Sequence, residues 1–134
     1  MEMEIVFPGG KKVDALYKGF TIKTDQPAFG GGDNSAPAPF DLFLASIGTC
    51  AGIYVLSFCQ QRGIPTDGIK LVQRMFRDEM SNGIGTISIE IQVPPEFPDQ
   101  YKAAVIRSAE LCAVKKHIQH PPQFEIFTSV VENN

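Results

Sequence analysis

Leu42-Phe43-Leu44-Ala45-Ser46-Ile47-Gly48-Thr49-Cys50-Ala51-Gly52-Ile53-Tyr54-Val55-Leu56-Ser57-Phe58-Cys59 is a run of 18 residues without a charge, and its reading decides the fold. By length and apolarity such a run fits a membrane span. Ser46, Gly48, Thr49, Gly52 and Ser57 interrupt it, and no basic cluster stands just outside its Phe40 end. Both flanks carry soluble α and β patterns. The better reading is a helix buried on all sides, at the centre of a small domain or a dimer. It starts near Pro39 or Phe40, because proline suits a first helical turn, and it stops at the polar turn Gln60-Gln61-Arg62-Gly63. Ala45, Ser46, Gly48, Thr49, Ala51 and Gly52 are small enough for another helix to approach closely, across a subunit boundary.

Upstream, Ile5–Phe7, Val13–Tyr17 and Phe20–Thr24 read as three short strands separated by the turn Pro8-Gly9-Gly10-Lys11 and by Gly19. Phe29 to Pro39 is a glycine-rich connection, expected to be flexible. Its Gly30-Gly31-Gly32 run lacks the GxxxxGK[ST] pattern of a phosphate-binding loop. Downstream, Ile69–Phe76 and Ile84–Val93 form a hairpin across Ser81-Asn82-Gly83. The second of these strands alternates, with Ile87, Ile89, Ile91 and Val93 on one face. After Pro94-Pro95, a second helix is expected over Gln100–Gln119, stopped by Pro121-Pro122, and then a last strand over Phe124–Val131. The order is α+β: three strands, a long buried helix, a β-hairpin, a second helix and a C-terminal strand, in a single domain spanning residues 1–134.

The 134 residues are 43% apolar and 20% charged, which fits one globular domain and excludes disorder, collagen and coiled coil. A net charge of −3 favours no phosphate backbone, so nucleic acid is not an expected partner, and neither is a membrane. Met1-Glu2-Met3-Glu4 opens with acids where a secretory signal needs bases, and the three cysteines are an odd number. A reduced, cytoplasmic protein is expected.

Cys50 and Cys112 carry the chemistry that can be read. Gly48, Thr49, Ala51 and Gly52 leave a shallow gap around Cys50, with room for a small reactant. Cys112, 62 residues later, sits on the other helix, so the two thiols could close a disulfide if those helices pack; otherwise both are small core hydrophobes. Cys59 is nine positions past Cys50, on the opposite side of the same helix. There is no CxxC, and His117 and His120 close a helix where imidazoles commonly sit over terminal carbonyls. Neither a metal nor another cofactor is expected.

Pro39-Phe40-Asp41-Leu42-Phe43-Leu44-Ala45-Ser46-Ile47-Gly48-Thr49-Cys50 resembles the P-x-x-L…A…C helix of the OsmC/Ohr proteins, the osmotically induced and organic hydroperoxide resistance group. Leu111-Cys112-Ala113-Val114-Lys115-Lys116-His117-Ile118 resembles that family's second cysteine segment, whose usual form is C-P-V-S-K-A-L. The resemblance covers nearly the whole chain. It implies the OsmC-like fold, an intertwined homodimer, a peroxide-attacking Cys50 and a resolving Cys112. The implied reaction is thiol-dependent reduction of organic hydroperoxides, with an external dithiol restoring the pair. The alternative is a non-catalytic protein of the same fold that holds a small lipophilic ligand.

Two positions depart from the family pattern. Phe40 stands where peroxidatic members have glutamate, with Asp41 one residue later, and no arginine precedes Arg62. A thiol attacks peroxide as thiolate, and an ordinary cysteine with a pKa of about 8.5 is only slightly ionised at neutral pH. A cation is therefore expected beside Cys50, with Lys18, Lys23 and Lys116 as candidates. Asp41, a further supporting candidate, lies nine residues back on the same helix, about 13 Å of rise, so it could touch the thiol only through a helix break or from the other subunit.

Overall fold

The computed structural model describes residues 1–132. Strands β1 (Glu4–Gly9), β2 (Lys12–Tyr17) and β3 (Phe20–Thr24) form an antiparallel meander in the order β1-β2-β3. Its second turn is Lys18-Gly19, both with positive φ (51° and 81°), between the paired residues Tyr17 and Phe20. Two positive-φ residues give the twist that a two-residue hairpin needs, and glycine takes one of those positions without strain. Helix α1 follows over Pro39–Gln61, then the hairpin β4 (Lys70–Arg77) and β5 (Ile84–Gln92), then helices α2 (Lys102–Ala109) and α3 (Ala113–Gln119).

The residues gather into two compact units. One holds Met1–Thr49 with Gln73–Ile89; the other holds Cys50–Val72 with residues 90–132. Helix α1 and the β4–β5 hairpin contribute residues to both.

In the first unit the start of α1 is fixed by reciprocal hydrogen bonds. Asp41 N–H donates to the Ala38 carbonyl at 2.9 Å, and Ala38 N–H donates to Asp41 Oδ2 at 3.2 Å, with Pro39 between them at the first helical position. Gln73 Nε2 on β4 donates to the Leu44 carbonyl at 3.0 Å, and its side chain occupies the space beside Gly48. At that glycine the close neighbour is a strand side chain and not a helix. The glycine-rich connection is ordered. Buried Asp25 accepts hydrogen bonds from Gln26 N–H, Asp33 N–H, Ser35 N–H and Ser35 Oγ, folding the loop back on its own start. A carboxylate that collects several donors fixes a loop which, on composition alone, reads as mobile.

The core of the second unit is Val55, Phe58 and Cys59 from α1 with Phe97 and Val105, flanked by Ile69, Leu71, Ile91 and Val93. Phe58 meets Tyr101 edge-on, with ring centroids 5.8 Å apart, and the Arg62 guanidinium lies 3.6 Å from the Phe58 centroid. Helix α1 ends as expected: Gly63 N–H reaches the Gln60 carbonyl and Ile64 N–H the Cys59 carbonyl.

Three sequence expectations differ from the structure. The second helix is not continuous over Gln100–Gln119. A 3-10 turn at Asp99–Tyr101 leads into α2, and the chain leaves the helix at Glu110-Leu111-Cys112 before α3 begins. Leu111 and Cys112 N–H groups turn back to the Ser108 and Ala109 carbonyls, closing α2 with tightened turns. The C-terminal strand is absent: Phe124–Val131 lies outside regular structure and is exposed along its length, because no strand of the described residues pairs with it. Finally, α1 is not buried all round. By length and composition it could cross a membrane, with mean hydropathy 1.9, yet only 28% of its most apolar stretch is buried in this single chain. Ile47, Ala51, Val55, Phe58 and Cys59 make the buried stripe, while Phe40, Phe43 and Ile53 are exposed.

Candidate thiol site

Cys50 and Cys112 come together in the second unit. Cys50 is half-buried on α1 between buried Ala51 and exposed Thr49. Cys112 is buried at the break between α2 and α3, where its backbone (φ −48°, ψ 122°) makes it the N-cap of α3. Its sulfur accepts the Lys115 N–H at 3.4 Å. Helix α2 is held to α1 by Ser108 Oγ donating to the Tyr54 carbonyl at 3.2 Å, one turn along from Cys50. The break therefore puts Cys112 and the first turn of α3 against the Cys50 sulfur.

The two thiols are electrostatically unlike. Val114 N–H donates to Cys50, as do the Cys112 thiol and Ala113 N–H; together these lower the Cys50 pKa below the ordinary cysteine value, and partial burial opposes them. Burial raises the Cys112 pKa, and its thiol proton is shared toward Cys50, which raises it further. Lys115 N–H works the other way. A thiolate is thus favoured at Cys50 and a thiol at Cys112. Two of the three donors beside Cys50 are main-chain N–H groups, a source that the expectation of a cation did not include. Dipolar donors from a neighbouring helix act where the dipole of Cys50's own helix cannot, ten residues inside it.

The remaining candidate residues have their own surroundings. The Lys116 side chain is exposed on α3, and its N–H makes the helical bond to the Cys112 carbonyl. Asp41 caps the start of α1. Lys18 places its ammonium 5.1 Å from the Tyr17 ring centroid, and Lys23 is exposed on β3. Cys59 is fully buried in the apolar core, where burial raises its pKa. His117 Nδ1 contacts the Ala113 carbonyl at 2.7 Å. Among the described residues no group of three or more His, Cys, Asp or Glu side chains could hold a metal ion.

Ala113 and Val114 carry the local chemistry and were not singled out from the sequence. One signal was available: alanine at 113 stands where the family's second segment has proline, and only alanine has an N–H to give.

A search of curated proteins finds no match to the chain. Among solved structures, a Psychrobacter arcticus protein described as osmotic stress induced and of the detoxification response shares 21% identity at a TM-score of 0.71, with 89% of this chain and 88% of that one covered. An OsmC like protein from Mycoplasma pneumoniae shares 13% identity at a TM-score of 0.67, covering 90% and 87%. The organic hydroperoxide resistance protein OsmC of Legionella pneumophila shares 15% identity at 0.56, covering 89% and 90%. These likenesses establish a common α+β fold. The family profile described as OsmC-like protein matches residues 31–127, which include both cysteine segments. The chain belongs to the OsmC-like protein family.

Proposed function

We propose that this protein reduces organic hydroperoxides with a thiol pair, Cys50 attacking and Cys112 resolving. The observation that carries the reading is the asymmetry of the pair: hydrogen bonds from Val114 N–H, Cys112 and Ala113 N–H favour a thiolate at Cys50, while Cys112 keeps its proton. Cys50 is only half-buried, so its thiolate can be met by the O–O bond of a small peroxide. Attack transfers the terminal oxygen to sulfur and releases an alcohol; Cys112 then displaces water from the Cys50 sulfenic acid to give a disulfide. An external dithiol returns both thiols. The relatives' description as organic hydroperoxide resistance proteins supports the substrate class.

A homodimer is the proposed working unit, supported by the apolar surface of the single chain. Phe124, Ile126, Phe127, Val130 and Val131 are each at least 81% exposed, and the meander leaves Phe7 and Phe20 uncovered.

The decisive experiment is consumption of cumene hydroperoxide by the purified protein with dithiothreitol as reductant. Turnover that is lost in Cys50→Ser is expected. Full turnover in Cys50→Ser overturns the reading, and saturable binding of a lipophilic ligand without turnover replaces it with the binding function.

A further inference from the structure

We propose that closing the Cys50–Cys112 disulfide uncaps α3, so that the oxidation state of the thiols is read out as order or fraying of residues 113–120; this rests on the thiol chemistry proposed above. The N-terminal turn of a helix has N–H groups with no partner inside the helix, and here sulfur takes the place of the usual oxygen caps. Ala113 and Val114 N–H donate to Cys50, and Lys115 N–H donates to Cys112 Sγ at 3.4 Å. Three successive donors at the head of α3 therefore depend on the two sulfurs that the reaction consumes.

Little else holds this helix. It has seven residues, fewer than the dozen or so that an isolated helix needs, and apart from half-buried Val114 its side chains are exposed. Helix α3 is thus unusually dependent on its cap. In the reaction, the Cys50 thiolate breaks the O–O bond, and the departing alkoxide is protonated to an alcohol. The Cys112 sulfur then bonds to the Cys50 sulfur as the S–O bond breaks and water leaves. Two thiols lose two electrons and one hydroperoxide gains them. The new S–S bond, about 2.05 Å long, draws the Cys112 sulfur onto Cys50 and off the Lys115 N–H. The same step removes the thiolate that Ala113 and Val114 N–H had bound. A disulfide sulfur is a poor acceptor, so the first turn loses its caps together.

The test is amide hydrogen exchange on the full chain in a Cys59→Ala background, reduced and after oxidation by either cumene hydroperoxide or diamide, with disulfide closure followed by intact mass and thiol alkylation. Exchange across residues 113–120 is expected to rise on the order of fivefold or more on oxidation, the size of a lost N-cap, and to return with dithiothreitol. In Cys112→Ser the serine hydroxyl keeps the Lys115 N–H cap and cannot close a disulfide, so exchange should stay below that of the oxidised parent under both oxidants. A disulfide that forms while exchange over 113–120 is unchanged overturns the switch and leaves the thiol chemistry standing. Closure with diamide but not with hydroperoxide overturns the peroxidase reading while the diamide arm still decides the switch. Failure to close under both oxidants overturns both.

Discussion

Position 113 is where a single atom matters most. Ala113 is the first residue of α3, and the preceding Cys112 already has the extended ψ of 122° that a following proline demands. Ala113→Pro should fold normally, yet it deletes an N–H that donates to Cys50. The Cys50 pKa should rise, and hydroperoxide consumption at neutral pH should slow by roughly tenfold, the worth of one hydrogen bond to a charged group. Titrating the thiolate by its ultraviolet absorbance checks the first effect, and unchanged circular dichroism checks that the fold survives. Cys59 presents the opposite case. It is fully buried beside Val55, Phe58, Phe97 and Val105, so Cys59→Ala should keep the chemistry and cost about 1 kcal/mol of stability by urea denaturation. Loss of turnover in Cys59→Ala with Cys112→Ser still active would move the resolving role to Cys59.

Among the elements, the loop from Gln26 to Ser35 makes its own prediction through pH. The Ser35 hydroxyl, the Ser35, Gln26 and Asp33 N–H groups all donate to Asp25 and hold its carboxyl at about 2, below the ordinary value of 3.8. Because the folded-state value is the lower one, the carboxylate stabilises the fold above about pH 4, and that contribution is lost as pH falls toward about 2. Urea midpoints measured across this window should fall more steeply for the native chain than for Asp25→Asn, which is weaker at neutral pH and has no such titration. The same loop depends on Gly32. A Cβ there would run into the Gln26 carbonyl oxygen and carbon, which are backbone and cannot swing aside. Gly32→Ala should therefore destabilise by about 2 kcal/mol, read as a lower urea midpoint with an unchanged slope.

For the whole molecule, the surface left bare by one chain is the main observation. Phe124–Val131 is rich in residues that favour a strand but has no partner strand among the described residues, and Phe40, Phe43 and Ile53 are exposed on the most apolar helix. A chain of this size that exposes so many large side chains is expected to cover them with a second copy. Sedimentation equilibrium should give twice the 14.7 kDa chain mass at micromolar concentration. Truncation after His120 should yield monomer or aggregate, and a well-folded full-length monomer would overturn the dimer.

Much of this protein was legible in its residues. The strands of the meander, the hairpin and the limits of α1 follow from signals that act within a few positions: alternation at β5, proline at 39, and the glycine that closes the helix after Gln61. The two cysteine segments were enough to suggest the family. The break at Glu110-Leu111-Cys112 was not legible, because neither proline nor glycine marks it and Tyr101, Ala104, Val105, Ser108, Leu111, Cys112 and Lys115 keep helical spacing through it. Tertiary packing imposed that break, with Ser108 bound to the Tyr54 carbonyl and Val105 in the core fixing where α2 ends. From it follow the N-cap role of Cys112 and the N–H groups that face Cys50. Side-chain types can announce which thiols are available, whereas the direction of a main-chain N–H depends on where the backbone turns, and only the folded chain decides that.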